Sequence, residues 1–212
     1  MKNRLGLVAL FAVSLSATDA MASVIHGFGS PASAIAGSTL IDFESQAPGS
    51  FTSLAIGGVT FSTGGAFGEI TSNYTPGYNA TGLNIQNRTT GFQTLTFSFA
   101  SPTSGFAFNF GASNEDWLLS AYDSSSALLE TYLLPQTWWN NNGEYFGISN
   151  TAISSATLRQ LTHSVDPQAD HILLDNFAYV SGGTTHPVPE PLSVALFGLG
   201  ILGAGLSRRK NS

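Results

Sequence analysis

The chain has 212 residues, with 13 acidic and 7 basic side chains and no cysteine. Lack of cysteine excludes a disulfide framework and thiolate metal sites. Setting aside Asp19 and Glu190, and the terminal cations Lys2, Arg4, Arg208, Arg209 and Lys210, leaves only Arg88 and Arg159 against an acidic majority. Such a centre offers no electrostatic footprint to nucleic acid or to an anionic lipid surface. It also repels an anionic polysaccharide unless divalent ions bridge the two.

The first segment reads as an export signal. Lys2 and Arg4 form a positive leader, residues 5–15 are apolar, and Ala20-Met21-Ala22 is a small-x-small cleavage site. This order predicts a signal peptide over 1–22, removed by signal peptidase to leave Ser23 as the new N-terminus. The apolar run is too short for a membrane anchor, and polar residues follow it at once.

Residues 23–180 read as β-structure throughout. Phe, Tyr, Thr, Val and Ile recur in short runs punctuated by Gly, Ser, Asn and Pro, the pattern of successive strands. Strands are predicted at 39–44, 58–62, 83–87, 94–99, 106–110, 117–122, 127–133, 144–148, 156–161 and 171–180. In the clearest of them Leu95, Phe97 and Phe99 share one face, with Thr94, Thr96 and Ser98 on the other. Ser101-Pro102-Thr103-Ser104-Gly105 then precedes Phe106, Phe108 and Phe110, so the two runs are expected to form a hairpin. Asp123-Ser124-Ser125-Ser126 is a turn signal. No stretch keeps a helical period and no repeat of fixed length is visible. The expected fold is an all-β antiparallel sandwich, jelly-roll-like, long enough to fold unaided. Residues 181–187 read as a small, polar linker.

The last 25 residues, 188–212, carry three signals in order. Val188-Pro189-Glu190-Pro191 is a rigid extended element, 192–206 is a hydrophobic helix candidate, and Arg208-Arg209-Lys210 is a positive stop. The apolar run holds no charge, Asn or Gln, but as a helix it rises only roughly 22 Å, against a hydrocarbon core of about 30 Å. The basic cluster would stay cytoplasmic by the positive-inside rule. A temporary anchor suits so marginal a span, and an ordinary single-pass anchor is the alternative.

This tail resembles the PEP-CTERM sorting signal. The resemblance implies a Gram-negative source that makes exopolysaccharide, and an exosortase-like membrane protease that recognises and processes the tail. A glycolipid-anchor signal should end in its hydrophobic run, and a Gram-positive sortase signal needs a Leu-Pro-x-Thr-Gly element that is missing.

Chemistry is sparser. Asp42 and Glu44 lie two apart on a predicted strand, with Ile41 and Phe43 pointing to the core. Asp175 and Asn176 lie in the last strand, and first and last strands of a sandwich are often neighbours. Glu44, Asp175, backbone carbonyls and, less firmly, Asp42 would then hold one ion, and oxygen-only ligation favours Ca²⁺. The Asp42-Phe43-Glu44 and Leu174-Asp175-Asn176-Phe177 elements resemble the ends of calcium-containing jelly-roll carbohydrate-binding modules. Alternatively these carboxylates are strand-end charges that discourage edge pairing.

Trp138-Trp139 precedes Asn140-Asn141-Asn142-Gly143. Adjacent tryptophans cannot both face the core of a strand, so one is expected at the surface. There, with Asn141 and Glu144, it would stack on a sugar ring while polar groups read hydroxyls; alternatively the pair closes a loop over the core. Trp117 reads as a core residue. His163 and His171 flank Asp166 and Asp170, a group that reads as solvated loop residues.

No Gly-x-Ser-x-Gly elbow, His-Glu-x-x-His or phosphate loop is present, and no carboxylate pair identifies itself as a glycosidase centre. The expectation is a non-enzymatic, exported cell-envelope or extracellular-matrix protein of structural or adhesive type. A carbohydrate-binding module is the second reading, with exopolysaccharide as partner, and a glycan-cleaving enzyme the third.

Overall fold

A computed structural model describes residues 22–87, 91, 93–161 and 170–180. The early strands are β1 (Ser23–Phe28), β2 (Thr39–Ile41), β3 (Gly49–Phe51), β4 (Ser53–Ile56), β5 (Val59–Ser62), β6 (Gly68–Thr71) and β7 (Asn84–Asn87). The later ones are β8 (Thr94–Gly111), β9 (Trp117–Tyr122), β10 (Leu128–Leu134), β11 (Glu144–Gln160) and β12 (Leu173–Tyr179). A single 3-10 turn, Pro31–Ala34, follows β1. Among the described residues all twelve strands pair antiparallel within one hydrogen-bonded sheet. The described part of the chain is therefore all-β and antiparallel, as expected.

Two long strands bend this sheet over its own core. The first half of β8 pairs with β5 and with the second half of β11, which continues into β9 and β10. The second half of β8 pairs with β12 and with the first half of β11, on which β1 lies. The halves close on an aromatic cluster: Phe177 of β12 meets Phe61 of β5 at 5.2 Å and Phe97 of β8 at 5.1 Å between ring centroids. Such offset and edge contacts add to the burial energy of the rings.

The predicted hairpin through 101–105 is not formed. Residues 94–111 are one strand, and 144–148 and 156–161 likewise merge into β11. Pairing with β11 on both sides of the bend supplies the hydrogen bonds that a turn would have broken. The bend adds one residue to β8: Ser149 faces Gly105 and Ser155 faces Ser98, six positions along β11 but seven along β8. That odd step carries the inward face from Leu95, Phe97 and Phe99 to Phe106, Phe108 and Phe110, all buried. Buried Thr103 anchors the bend, its hydroxyl donating to the carbonyls of Val180 at 2.7 Å and Gly105 at 2.9 Å.

The strands predicted at 58–62, 83–87, 117–122, 127–133 and 171–180 appear with ends within two residues of those bounds. The predicted Asp123 turn forms, with Oδ1 accepting the N–H groups of Ser125 at 2.8 Å and Ala127 at 2.9 Å. The strand predicted at 39–44 stops at Ile41, because Phe43 adopts φ 61°. Strands β1, β3, β4 and β6 were not expected from the sequence. Among the described residues no helix is long and apolar enough to cross a membrane. Nearly all of the predicted signal peptide, the linker 181–187 and the tail 188–212 lie outside the described residues.

Candidate functional site

Two loops meet at one end of the sheet. The first is a two-residue turn between Gly77 and Ala80, whose backbones exchange hydrogen bonds of 3.1 and 3.0 Å. Its central residues Tyr78 and Asn79 have φ 52° and 61°, both positive as in a two-residue type I′ turn. Asn tolerates that geometry, whereas a bulky Tyr adopts it at a cost. The turn packs on the end of β8, where a methyl group at Gly111 would collide with the Tyr78 carbonyl.

The second loop carries the tryptophans. Thr137 and Trp138 donate their N–H groups to the Ser113 carbonyl at 3.0 and 2.9 Å, and Asn140 closes the turn onto the Thr137 carbonyl at 2.8 Å. This leaves Trp138 52% and Trp139 78% exposed at the tip. The expectation of one surface tryptophan is exceeded, and the closed-loop alternative does not hold. Trp138 donates its indole N–H to Gln136 at 3.1 Å. The Trp139 indole N–H has no partner among the described residues, and its ring lies 5.7 Å from Tyr78, tilted by 40°.

Together the loops form an open groove of about 200 Å³, lined by Tyr74, Tyr78, Trp138, Trp139, Asn114 and His171 among others. Tyr74 meets the His171 ring edge-on at 5.0 Å, and His171 is hydrogen-bonded to Gln86 at 3.2 Å. Four aromatic residues line the groove, and no Lys or Arg lines it among the described residues. Asn141 belongs elsewhere: its Oδ1 accepts the Asn79 N–H at 3.3 Å, and it lines a neighbouring polar cavity. Glu144 is engaged away from the groove by His26 at 2.9 Å and Asn140 at 3.2 Å.

The carboxylates expected near the first and last strands divide. β2 does pair with β12, Ile41 opposite Phe177. Asp42 is exposed and turns back on itself, accepting the Glu44 N–H at 3.2 Å, so it shares no strand face with Glu44. Ile41 and Phe43 are buried as expected. Glu44 accepts the Leu83 N–H at 3.0 Å and packs under Gly82, where a methyl group would meet its carboxylate.

Asp175 is only 1% exposed. Its oxygens take the N–H groups of Thr81 at 2.9 Å and Asn176 at 2.7 Å. Burial pushes its pKa up from 3.8 to about 6, those hydrogen bonds pull the other way, and the Glu44 charge adds to the rise. Among the described residues no three His, Cys, Asp or Glu side chains gather around one point. Carbonyl oxygens would have to supply the rest of any Ca²⁺ shell.

Asp170 is not a solvated loop residue. It is buried and accepts the Trp117 indole N–H at 2.7 Å and the N–H groups of Asn114 at 3.1 Å and Glu115 at 3.2 Å. Burial raises its pKa against those hydrogen bonds. Trp117 is fully buried, as expected. His163 and Asp166 lie outside the described residues.

The sorting residues Val188, Pro189, Glu190 and Pro191 and the stop residues Arg208, Arg209 and Lys210 also lie outside the described residues. Residues 187–210 match the PEP-CTERM protein-sorting motif. A PEP-CTERM tail implies an exosortase-sorted, exported protein directed to the cell envelope. No curated protein matches the chain in sequence.

Among solved structures, a DUF4465 family protein from Bacteroides caccae is 13% identical with a TM-score of 0.36, covering 74% of this chain and 99% of that one. A variant of a family 29 carbohydrate-binding module is 10% identical with a TM-score of 0.27, covering 79% of this chain and 99% of that one. Another variant of the same module is 11% identical with a TM-score of 0.28.

Tyr74, Tyr78 and His171 were not foreseen as groove residues. For the two tyrosines the signal was the run Asn73-Tyr74-Thr75-Pro76-Gly77-Tyr78-Asn79, which places two aromatic residues among turn formers, where no strand core can absorb them.

Proposed function

We propose that this PEP-CTERM protein is a non-enzymatic adhesin of the cell envelope or extracellular matrix, whose jelly-roll-like sandwich holds a glycan on the Trp138–Trp139 groove. The observation that carries this reading is Trp139, 78% exposed beside Tyr78, its indole N–H without a partner among the described residues. An exposed large aromatic ring offers apolar area to the flat C–H face of a sugar, and nearby polar groups read its hydroxyls. Exposing it without a ligand gains no burial energy.

Backbone strain points to the same place. Tyr74, Tyr78, Ala112 and Trp138 all line the groove and all have positive φ, between 44° and 66°. Strained residues of this kind gather at ligand sites because the surrounding structure holds them there.

Ca²⁺ would be structural in this reading. Glu44 and Asp175 would hold it at the seam between β2, β12 and the Thr81–Leu83 segment, where it would neutralise two carboxylates that the fold brings together.

The test is retention of the mature protein on exopolysaccharide extracted from the producing bacterium. Wild type should be retained, and Trp139→Ala should abolish retention without changing the melting temperature. Failure of the wild type to bind overturns the adhesin reading and leaves the PEP-CTERM assignment intact.

A further inference from the structure

Beside the groove lies a second cavity of about 360 Å³, lined by Ser30, Asn79, Thr81, Asn109, Asn141 and Asn176 among others. Three chain segments serve both hollows. Tyr78 lines the groove and Asn79 the cavity; Trp139 lines the groove and Asn141 the cavity; Leu173 and Asn176 divide in the same way. The cavity exceeds the lower bound of about 300 Å³ for small-ligand sites.

Its key group is Asn109, only 3% exposed. The Asn109 Nδ2 donates to the carbonyls of Gly143 at 2.9 Å, Gly29 at 3.1 Å and Glu144 at 3.3 Å, which fixes the amide orientation. Its Oδ1 accepts no hydrogen bond from the described residues. That oxygen is open to the cavity rather than sealed in the core, so water or a bound hydroxyl can supply its donor. Among the described residues only the Nδ2 of the Asn176 amide is engaged, with Asp175 at 3.2 Å, which leaves a second acceptor. Among the same residues only the Oδ1 of the Asn141 amide is engaged, which leaves a donor.

Acceptors and a donor are thus mixed in one hollow without a formal charge. Metal ions need acceptors alone, and an anion would need donors or cations. A hydroxyl group both donates and accepts, and matches such a set. Strain agrees: of eight non-glycine residues at positive φ among the described residues, six line the groove or this cavity.

We propose that the amide cavity is a second sugar subsite, so that groove and cavity together hold consecutive residues of an uncharged, hydroxyl-rich polysaccharide. This rests on the groove binding glycan as proposed above. Among the described residues no Lys or Arg lines either hollow, and Glu44, Asp175 and Glu144 lie close by, so a uronate or sulfated chain is disfavoured.

The experiment titrates the protein, by calorimetry in EDTA, with cello-, manno- and laminari-oligosaccharides from di- to hexasaccharide, and with polygalacturonate. The double variant Asn141→Ala with Asn176→Gly removes the two outer amides, and glycine accepts the φ of 50° at position 176. In the wild type, affinity for at least one neutral series should rise with length, and polygalacturonate should not bind. The double variant should lose about tenfold on the longer oligomers and equal wild type on the shortest that binds.

Equal affinities of variant and wild type at every length overturn the subsite and leave the groove standing. Tight polygalacturonate binding overturns the uncharged class. Failure of the wild type to bind any oligomer, with Trp139→Ala unchanged in turn, overturns the groove reading and this one with it. A Ca²⁺ titration in chelator-free buffer that responds to the double variant but not to Glu44→Gln reassigns the cavity to a cation.

Discussion

Asn79 joins the two loops of the groove: its Oδ1 accepts the backbone N–H of Gly143 at 3.0 Å, across 64 residues of sequence. The same oxygen accepts the Asn142 N–H at 3.0 Å, while Nδ2 donates to the Phe110 carbonyl at 2.9 Å. One side chain therefore fixes the tyrosine turn, the tryptophan loop and the end of β8. Asn79 also heads a glycosylation-like Asn-Ala-Thr triplet, but its amide is buried and holds the Phe110 carbonyl.

Asn79→Gly keeps the φ of 61° accessible and deletes all three hydrogen bonds. It should cost about 2–3 kcal/mol of stability and loosen the groove. Trp138 and Trp139 are exposed while Trp117 is buried, so acrylamide quenching should change little. Retention on exopolysaccharide, which needs the loops in register, should fall by at least tenfold. A variant as stable and as retentive as wild type would show that the loops hold their places without this staple.

Asp175 gives the fold a pH dependence with a defined sign. Its folded pKa of about 6 lies above the ordinary 3.8, so the folded state binds more protons between those values. Stability should fall as pH rises through that window, with a penalty of about 3 kcal/mol fully present above it. Asp170 adds a contribution of the same sign, with Glu115 beside it. In EDTA the melting temperature should therefore drop between about pH 4 and pH 6.5. Asp175→Asn should flatten that drop, leaving the Asp170 part. Added Ca²⁺, if bound by Glu44 and Asp175 in the native state alone, should raise the melting temperature most at neutral pH and not at all in the variant. A melting temperature indifferent to EDTA and Ca²⁺ removes the ion from the proposal.

Much of the fold was legible because alternation of Phe with Thr and Ser marks strand faces directly. The β8 bend was not. Ser101-Pro102-Thr103-Ser104-Gly105 has the composition of a turn, and only the partner strand shows that it continues. The change of parity from Phe99 to Phe106 was visible in the sequence and is the trace of the inserted residue. Short edge strands such as β3 (Gly49–Phe51) carry too few residues to show a period. The tryptophans announced the groove by their adjacency, whereas His171 and Asn109 come to the site through pairing of distant strands.

That parity makes a severe test of the bend. Ser101 is exposed, so Ser101→Ala should change stability by no more than about 0.5 kcal/mol. Deleting Ser101 removes the extra residue, leaving six steps on each strand between the flanking pairs, so Phe106, Phe108 and Phe110 keep the inward face of Leu95, Phe97 and Phe99. The deletion should therefore retain a cooperative unfolding transition by calorimetry. Loss of that transition would mean that the extra residue does more than set the parity of β8.

Both ends of the mature protein can be read by mass spectrometry of material recovered from the cell surface. Strand β1 begins at Ser23, which pairs with Ser149 through the backbone register and through a 2.7 Å contact between their hydroxyls. The sheet uses no described residue before Ser23, so cleavage after Ala22 leaves every strand intact. Signal peptidase should therefore yield Ser23 as the N-terminal residue. At the other end, the PEP-CTERM match over 187–210 leads to removal of the apolar run 192–206 with its basic stop, and no peptide from that run should survive on the surface protein. Retention of Arg208, Arg209 and Lys210 in the surface form would return the tail to a single-pass anchor. The groove would then be displayed from the inner membrane rather than released into the matrix.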